Sequence, residues 1–522
     1  MATTPLARPD LARPDIDPAR VAALASIVTG SAGHHEVVSP LDGRPLATVP
    51  RSDEADVDRA LAAARGAQAD WAHMPLRERR VILRRAGRLF LAHRDELLDI
   101  IQLENGKNRL SAFEEVSDVA LTAAYYARTS RRLLRPHRRR GVIPVLTSVR
   151  ELRKPKGVVG IISPWNYPLM LAVADAIPAL IAGNGVVLKP DSATPLCALA
   201  AVELLREAGV PADLFGVVVG AGGALGPRLV GGVDYVMFTG STATGRIIAE
   251  QCGRQLIGYS AELGGKNPLI VLADADIERA AHGAVQACFS NSGQLCVSIE
   301  RIYVEDAAYE AFADAFTRRV SAMRLGVGLD WEADIGTLTS AAQVAVFRSH
   351  VADAVAKGAT VLAGGKARPD IGPYAYEPTV LAGVTDDMVV ARTETFGPVV
   401  SLYRVADADE AVRLANDSRY GLNASVWSRH RGADVAGRVY AGTVSINEGY
   451  AAAWGSTDSP MGGVKDSGLG RRHGDEGLLK YTEPQAVLRQ RIASVAPPDK
   501  VSDETYAKFM SRALALLTRV RP

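Results

Sequence analysis

Cysteine is scarce in this chain: four occur in 522 residues, at positions 197, 252, 288 and 296. None stands in a Cys-x-x-Cys pair or beside paired histidines, so the spacing argues against a metal centre or a disulfide framework and for a reducing, cytoplasmic setting. A charge excess is also missing. Sixty basic against 58 acidic side chains leave a net charge of +2, which gives no global pull toward nucleic acid. No run of eighteen apolar residues occurs, so no membrane span is expected. The N-terminus offers no apolar signal core either. It repeats Leu-Ala-Arg-Pro-Asp at 6–10 and 11–15, and residues 1–34 read as a disordered or extended arm.

What is present is the composition of a soluble globular enzyme, 48% hydrophobic and 23% charged. The length suggests two or three domains. From 57 to 103 apolar residues recur at helical spacing, as at Ala60, Leu61 and Ala64, then Val81, Leu83, Leu89 and Leu98. Over 141–155 the pattern turns to short strand-like runs with Val142, Ile143, Val145 and Val149, read as a hairpin or extended arm. Strands then alternate with helices, at 158–162, 186–188, 216–219, 235–238 and 256–260, which marks βαβ units and a parallel sheet covered on both faces. A second α/β region follows to about 445, with strands at 269–272, 301–304, 399–403 and 425–427.

The candidate for chemistry is Cys296, which follows Gly293, Gln294 and Leu295, although a cysteine is more often a small core hydrophobe than a nucleophile. A thiol among small and amide residues can be reached by a carbonyl, whereas one packed among aliphatic side chains cannot. Glu262, thirty-four positions upstream, lies between a strand-like run and a Gly-Gly pair. That suits a strand end opening on a cleft, where a carboxylate can act as base. Ligands of open parallel sheets bind at the carboxyl ends of the strands. The loop Gly220-Ala-Gly-Gly-Ala-Leu-Gly226 misses the Gly-x-Gly-x-x-Gly pattern by one residue, and its glycines could equally serve as turns. The run Thr239-Gly-Ser-Thr-Ala-Thr-Gly245 introduces a helix whose free N–H groups could face phosphate or serve as an ordinary N-cap.

Five blocks, Pro164-Trp-Asn-Tyr-Pro168, Phe238-Thr-Gly-Ser241, Glu262-Leu-Gly-Gly-Lys266, Gly293-Gln-Leu-Cys296 and Glu394-Thr-Phe-Gly-Pro398, occur in one order. With them the chain resembles the aldehyde dehydrogenase superfamily over about residues 35–490. The resemblance implies an NAD(P)-binding domain at 35–140 and 157–265 with a Rossmann-type parallel sheet. It also implies a catalytic domain at 266–478 and a small β oligomerisation arm at 141–156 and 479–492; the arms would pair between subunits of a homodimer or homotetramer. By the same likeness Cys296 is the nucleophile, Asn166 and the Cys296 N–H hold the oxyanion, and Glu262 activates water against the thioester. Lys189 holds the adenosine ribose and Glu394 the nicotinamide ribose. Phe396 lies by the nicotinamide ring, and Trp165, Gly240 and Ser241 line the diphosphate path. A thiol of ordinary pKa would need activation by neighbouring dipoles or by bound cofactor. Ser192, where NAD-preferring relatives often carry Glu, would not repel a 2'-phosphate; NADP is the expected cofactor, with NAD an alternative.

Among aldehydes, the likeness runs toward bacterial succinate-semialdehyde dehydrogenases. The two arginines that clamp the distal carboxylate in the main branch of that group are Ser290 and Ala174 here. Leu169, Met170, Val173 and Leu295 are expected around the mouth of the site and suit an apolar aldehyde, and Asp175 would repel a carboxylate if it faced the funnel. A broad-specificity dehydrogenase of apolar or aromatic aldehydes is therefore the alternative reading. A non-catalytic paralogue is disfavoured because the thiol and Asn166 are retained, and an enzyme that passes the acyl group to coenzyme A because Glu262 is retained. The arginines within 131–140 lack interleaved aromatics and read as a solvated or subunit-contact face. Residues 493–522 form an amphipathic helical tail, with Tyr506, Phe509, Met510, Ala513, Leu517 and Val520 opposite Lys508 and Arg512.

Overall fold

The computed structural model describes residues 13–142, 147–490 and 496–519. One compact unit runs to Leu133 and continues over Pro155–Thr482; the second comprises Leu134–Lys154 and the chain from Glu483. Within the first unit, four consecutive helices, Glu54–His73, Leu76–Ala92, Arg94–Asn105 and Arg109–Leu134, come before the two large sheets. The first starts with a reciprocal cap in which Asp53 accepts from the Asp56 N–H while the Asp56 carboxylate accepts from the Asp53 N–H, satisfying two donors that the helix leaves open.

The first large sheet has the order Gly468–Leu469, Gly258–Glu262, Tyr235–Thr239, Val158–Ile162, Gly185–Lys189, Phe215–Val217. All pairings are parallel except that of Gly468–Leu469. The chain order reverses at Val158–Ile162, whose neighbours on either side are Gly185–Lys189 and Tyr235–Thr239. That is the switch point at which the carboxyl ends of an open sheet form a crevice. The second sheet has the order Thr360–Ala363, Thr379–Ala382, Val399–Val405, Ile299–Glu305, Asn267–Val271, Asn423–Trp427, Thr443–Ile446. Both sheets belong to the same compact unit. Four residues, Leu263 to Lys266, carry the chain from the carboxyl end of the first sheet to the amino end of the second.

Each strand expected from alternation is found, with shifts of one or two residues. The largest shift is instructive. Leu256 takes a left-handed conformation (φ 57°) that closes the helix Thr242–Gln255, so the following strand starts at Gly258 and ends on Glu262. The N-terminal segment departs from an extended arm: Pro18–Ala25 is a helix, capped by Asp17, that buries Leu24. Its proline stands in the first turn, where no N–H is needed. Residues 1–12 lie outside the described residues.

The second unit holds a three-stranded sheet in the order Thr482–Gln490, Thr147–Pro155, His137–Arg140. The two arm segments thus share a sheet within one chain. Arg139 pairs with Glu151 across it at 2.7 Å. Ile143 and Val145 lie outside the described residues. The tail is a helix over Asp503–Arg519, with Tyr506, Met510 and Ala513 half-buried and Phe509 exposed; Val520 and the Leu517 side chain lie outside the description.

Candidate active site

The expected site residues arise where the two sheets meet. Trp165 and Asn166 follow the strand Val158–Ile162, Lys189 ends its neighbour, Gly240 and Ser241 follow Tyr235–Thr239, and Glu262 ends the next strand. Cys296 and Glu394 come from loops that lead into strands of the second sheet, Ile299–Glu305 and Val399–Val405.

Cys296 is half-buried at the wall of a cavity. Asn166, Tyr167, Met170, Ala174, Leu295, Tyr450 and Arg472 also line it. The loop in front of the thiol is unusual. Asn291, Ser292 and Gly293 all have positive φ (48°, 55° and 69°), a conformation that costs energy for residues other than glycine and persists only where the surroundings hold it. Ser111 Oγ accepts from the Asn291 N–H, Asn291 Nδ2 donates to the Asn166 carbonyl, and Ser292 Oγ donates to the Gly336 carbonyl. The Gln294 amide donates to the Thr337 carbonyl and accepts from the Thr339 N–H. Behind the thiol, Asn267 Nδ2 donates to the Cys296 carbonyl at 2.8 Å and to that of Ser298 at 2.7 Å. Burial pushes the thiol up to about 12, with Arg472 pulling it down and Glu262 and Glu394 adding to the rise. The side chains around the thiol therefore hold it protonated, and activation falls to what binds beside it.

Asn166 is buried, and its Nδ2 donates to the Gln294 carbonyl at 3.0 Å, which leaves that amide a second hydrogen. A buried pair fixes its loop. Lys107 Nζ lies 2.7 Å from Glu115 Oε1 and donates to the Asn166 carbonyl at 2.7 Å. The other Glu115 oxygen accepts from the Leu169 and Met170 N–H groups at the start of the helix Pro168–Val173.

Glu262 is buried, and its Oε1 has no hydrogen-bond partner. A Cβ on Gly462 would come within 3.0 Å of that oxygen, so glycine leaves it uncovered. Burial raises this carboxyl from 4.5 to about 7 against the pull of Arg472 and Lys480. Glu394 is likewise raised by burial to about 8; its Oε1 accepts from the Gly265 N–H at 2.7 Å. Phe396 has φ 54° and meets Trp165 edge to face, with ring centroids 5.5 Å apart. Its loop is held by Glu300, which accepts from the Thr395 and Phe396 N–H groups and pairs with Lys266, and by Gln343 Nε2 on the Phe396 carbonyl.

Lys189 is buried, and its Nζ donates to a neutral acceptor, the Pro190 carbonyl, at 3.0 Å. Gly222, at the start of the helix Gly222–Gly232, is so close that a Cβ there would lie 3.9 Å from that amine. Ser192 Oγ donates to the Gly220 carbonyl at 2.9 Å. Ser241 caps the helix Thr242–Gln255 by accepting from the Thr244 N–H, and Gly240 precedes it. A cation and two glycine-led helix starts at the carboxyl ends of the first sheet's strands fit a dinucleotide.

Sequence reasoning overlooked Arg472. It is buried in the cavity wall, 2.6 Å from Asp175 Oδ2, and donates to Thr239 Oγ1 at 2.8 Å. No local pattern around the Arg471-Arg472 pair singles it out, since its partner lies 297 residues away. This pairing corrects the expectation for Asp175. Burial works against its ionisation, but Arg472 and Lys480 outweigh that and hold the carboxyl below the usual range, so its charge is compensated. The apolar mouth is also narrower than expected. Met170 and Leu295 line the cavity, whereas Leu169 and Val173, one turn apart on the same helix, are fully buried in the core. Ser290 Oγ is hydrogen-bonded to the Tyr450 hydroxyl at 2.7 Å, and Ala174 lines the cavity.

A thiol, a side-chain amide and a buried carboxylate beside a dinucleotide crevice define an aldehyde-oxidising enzyme, and the chain belongs to the aldehyde dehydrogenase family, whose model matches residues 27–487. It is 55% identical over 471 residues to the "Putative succinate-semialdehyde dehydrogenase (NADP+)" of Mycolicibacterium smegmatis, covering 90% of this chain and 91% of that one. It is 38% identical to an Escherichia coli succinate-semialdehyde dehydrogenase (NADP+), covering 86% and 92%. A crystal structure of an E. coli NADP-dependent enzyme superposes with a TM-score of 0.84 at 37% identity, covering 88% of this chain and 95% of that one.

Proposed function

We propose that this enzyme oxidises succinate semialdehyde to succinate with NADP+. The observation that carries the chemistry is the cavity that Cys296, Asn166 and Arg472 line together; the relatives' substrate supports the specific aldehyde. Cys296 Sγ attacks the aldehyde carbon. The spare Asn166 Nδ2 hydrogen, with the Cys296 N–H, stabilises the charge that develops on oxygen. A bound cofactor would supply the hydride acceptor; Lys189 and Ser192 would hold its adenosine ribose, Gly240, Ser241 and Trp165 its diphosphate, and Glu394 and Phe396 its nicotinamide end. Glu262 then takes a proton from the water that hydrolyses the thioester at Cys296.

Ser192 supports NADP over NAD: its neutral hydroxyl does not repel a 2'-phosphate, and the nearby Lys189 cation attracts one. Four free cysteines fit a cytoplasmic location. Among the described residues no helix is long and apolar enough to cross a membrane. A second reading, oxidation of apolar aldehydes, draws on Met170, Leu171, Pro178 and Leu295 in the cavity.

The test is absorbance at 340 nm with succinate semialdehyde, benzaldehyde and hexanal, with either cofactor, with and without coenzyme A. We expect turnover without coenzyme A, loss of signal in Cys296→Ala, and at least about tenfold preference for succinate semialdehyde, about 1.4 kcal/mol in transition-state binding. A smaller preference removes the specific substrate, and a tenfold preference for NAD removes the cofactor assignment.

A further inference from the structure

One wall of the cavity is a stripe down the helix Arg109–Leu134. Glu114, Asp118, Thr122 and Tyr126 are spaced by four, so they face the same side, and all four line the cavity. The two ends of the stripe are engaged: Glu114 accepts from the Tyr167 and Tyr450 hydroxyls, and the Tyr126 hydroxyl donates to the Gly474 carbonyl at 3.3 Å. The two middle members are not. Both Asp118 oxygens and Thr122 Oγ1 are buried without a hydrogen-bond partner. His473 joins them from the C-terminal segment, with Nε2 3.9 Å from Asp118 Oδ1 and Nδ1 also unpartnered. Asp118, Thr122 and His473 are 2%, 1% and 6% exposed. Buried polar groups are normally satisfied, so three orphans facing one cavity mark a place for a ligand's polar end.

From this geometry we infer that Asp118, Thr122 and His473 form the subsite for the distal carboxylate of the substrate, with Asp118 donating its own proton to that carboxylate. The inference rests on the succinate semialdehyde reading. It supplies the anchor that Ser290 and Ala174 do not, and the small Ala174 side chain leaves the stripe accessible from the cavity.

The charges around the subsite are mixed, with Glu114 an acid on the same stripe, so hydrogen-bond donors rather than net positive charge would hold an anion there. Arg472 and Lys480 bring two basic groups, and Asp175 is the carboxyl that they hold ionised. Glu115 on the same helix is already engaged by Lys107. Burial, with help from Asp175 and Glu115 and against Arg472, raises Asp118 from 3.8 to about 7. Burial and Arg472 lower His473 to about 4, so it stays neutral. A protonated Asp118 and the Thr122 hydroxyl are then two donors for the incoming carboxylate, and His473 Nδ1 is a third in the tautomer that carries its proton there.

The sign of the pH effect follows. As pH rises through about 7, Asp118 loses its proton and gains a charge, which repels the substrate carboxylate. In the full-length enzyme with saturating NADP+, we expect KM for succinate semialdehyde to rise at least about fivefold between about pH 6 and pH 8.5, while that for its methyl ester does not follow. Asp118→Asn, which keeps a donor at every pH, should flatten the rise, and Thr122→Val should lower the preference for acid over ester about tenfold. Wild-type indifference between acid and ester sinks the substrate reading, and the subsite with it. A wild-type preference for the acid that persists unchanged in Thr122→Val, or an Asp118→Asn enzyme that loses the acid at all pH values as a cation-binding carboxylate would, sinks the subsite alone. Competitive inhibition of the wild-type enzyme by glutarate, read against pH, checks the same titration without a variant: inhibition that weakens above about pH 7 supports it, and a flat profile opposes it.

Discussion

Glu262 is a carboxylic acid surrounded by protein, with one oxygen unpartnered and its pKa near 7. A base works only when deprotonated, and this group loses that form as pH falls through about 7. We therefore expect kcat to fall about tenfold per unit below that pH and to level above it. In Glu262→Gln the deprotonated base is gone; stopped-flow absorbance at 340 nm should give a burst of about one equivalent per site and then a steady rate lower by about 10²-fold or more. A burst-free trace would remove Glu262 from hydrolysis. At this scale the sequence was informative for Cys296, whose small and amide neighbours stand beside it in the chain. It was silent on Arg472 and on Asp118, whose partners come from far along the chain and whose surroundings only burial defines.

At the scale of the element, the position of the Cys296 thiol depends on backbone that runs against local preference. Gly293 has φ 69° and packs so closely on the Gly397 carbonyl that no Cβ fits. Gly293→Ala should push apart the thiol loop and the Phe396 loop together. Activity is expected to drop at least about hundredfold with an unchanged far-UV spectrum, since displacing a reacting group by about 1 Å costs that much. The strands themselves were readable because alternation and β-branched runs report them directly. The loops were less so. The left-handed Asn291 and Ser292 are held by Ser111, Asn166 and Gly336, none of which is a neighbour in sequence. The same holds for the Lys107–Glu115 pair beneath Asn166, where losing either partner would strand a buried charge at a cost of about 3–5 kcal/mol.

At the scale of the molecule, the strand Thr482–Gln490 is an edge strand, exposed along 483–489, with Val487 and Leu488 at 44% and 66%. Among the described residues no further strand lies beyond it, and such an edge invites another strand. If arms of two copies meet there, Val487→Pro, which removes a ladder donor, should shift the protein toward the monomer in light scattering, and an unchanged mass would place the subunit contact elsewhere. The sequence by itself determined the α/β class, the order of strands along the chain and which thiol, amide and carboxylate are the candidates for the chemistry, because periodicity and short blocks are local signals. Tertiary structure alone decided that the arm segments share one sheet within a chain and that Arg472 neutralises Asp175. It also decided that Leu169 and Val173 point into the core while Asp118, Thr122 and His473 face the cavity. Burial and charge pairing are properties of residues brought together from distant parts of the chain, and no local pattern encodes them.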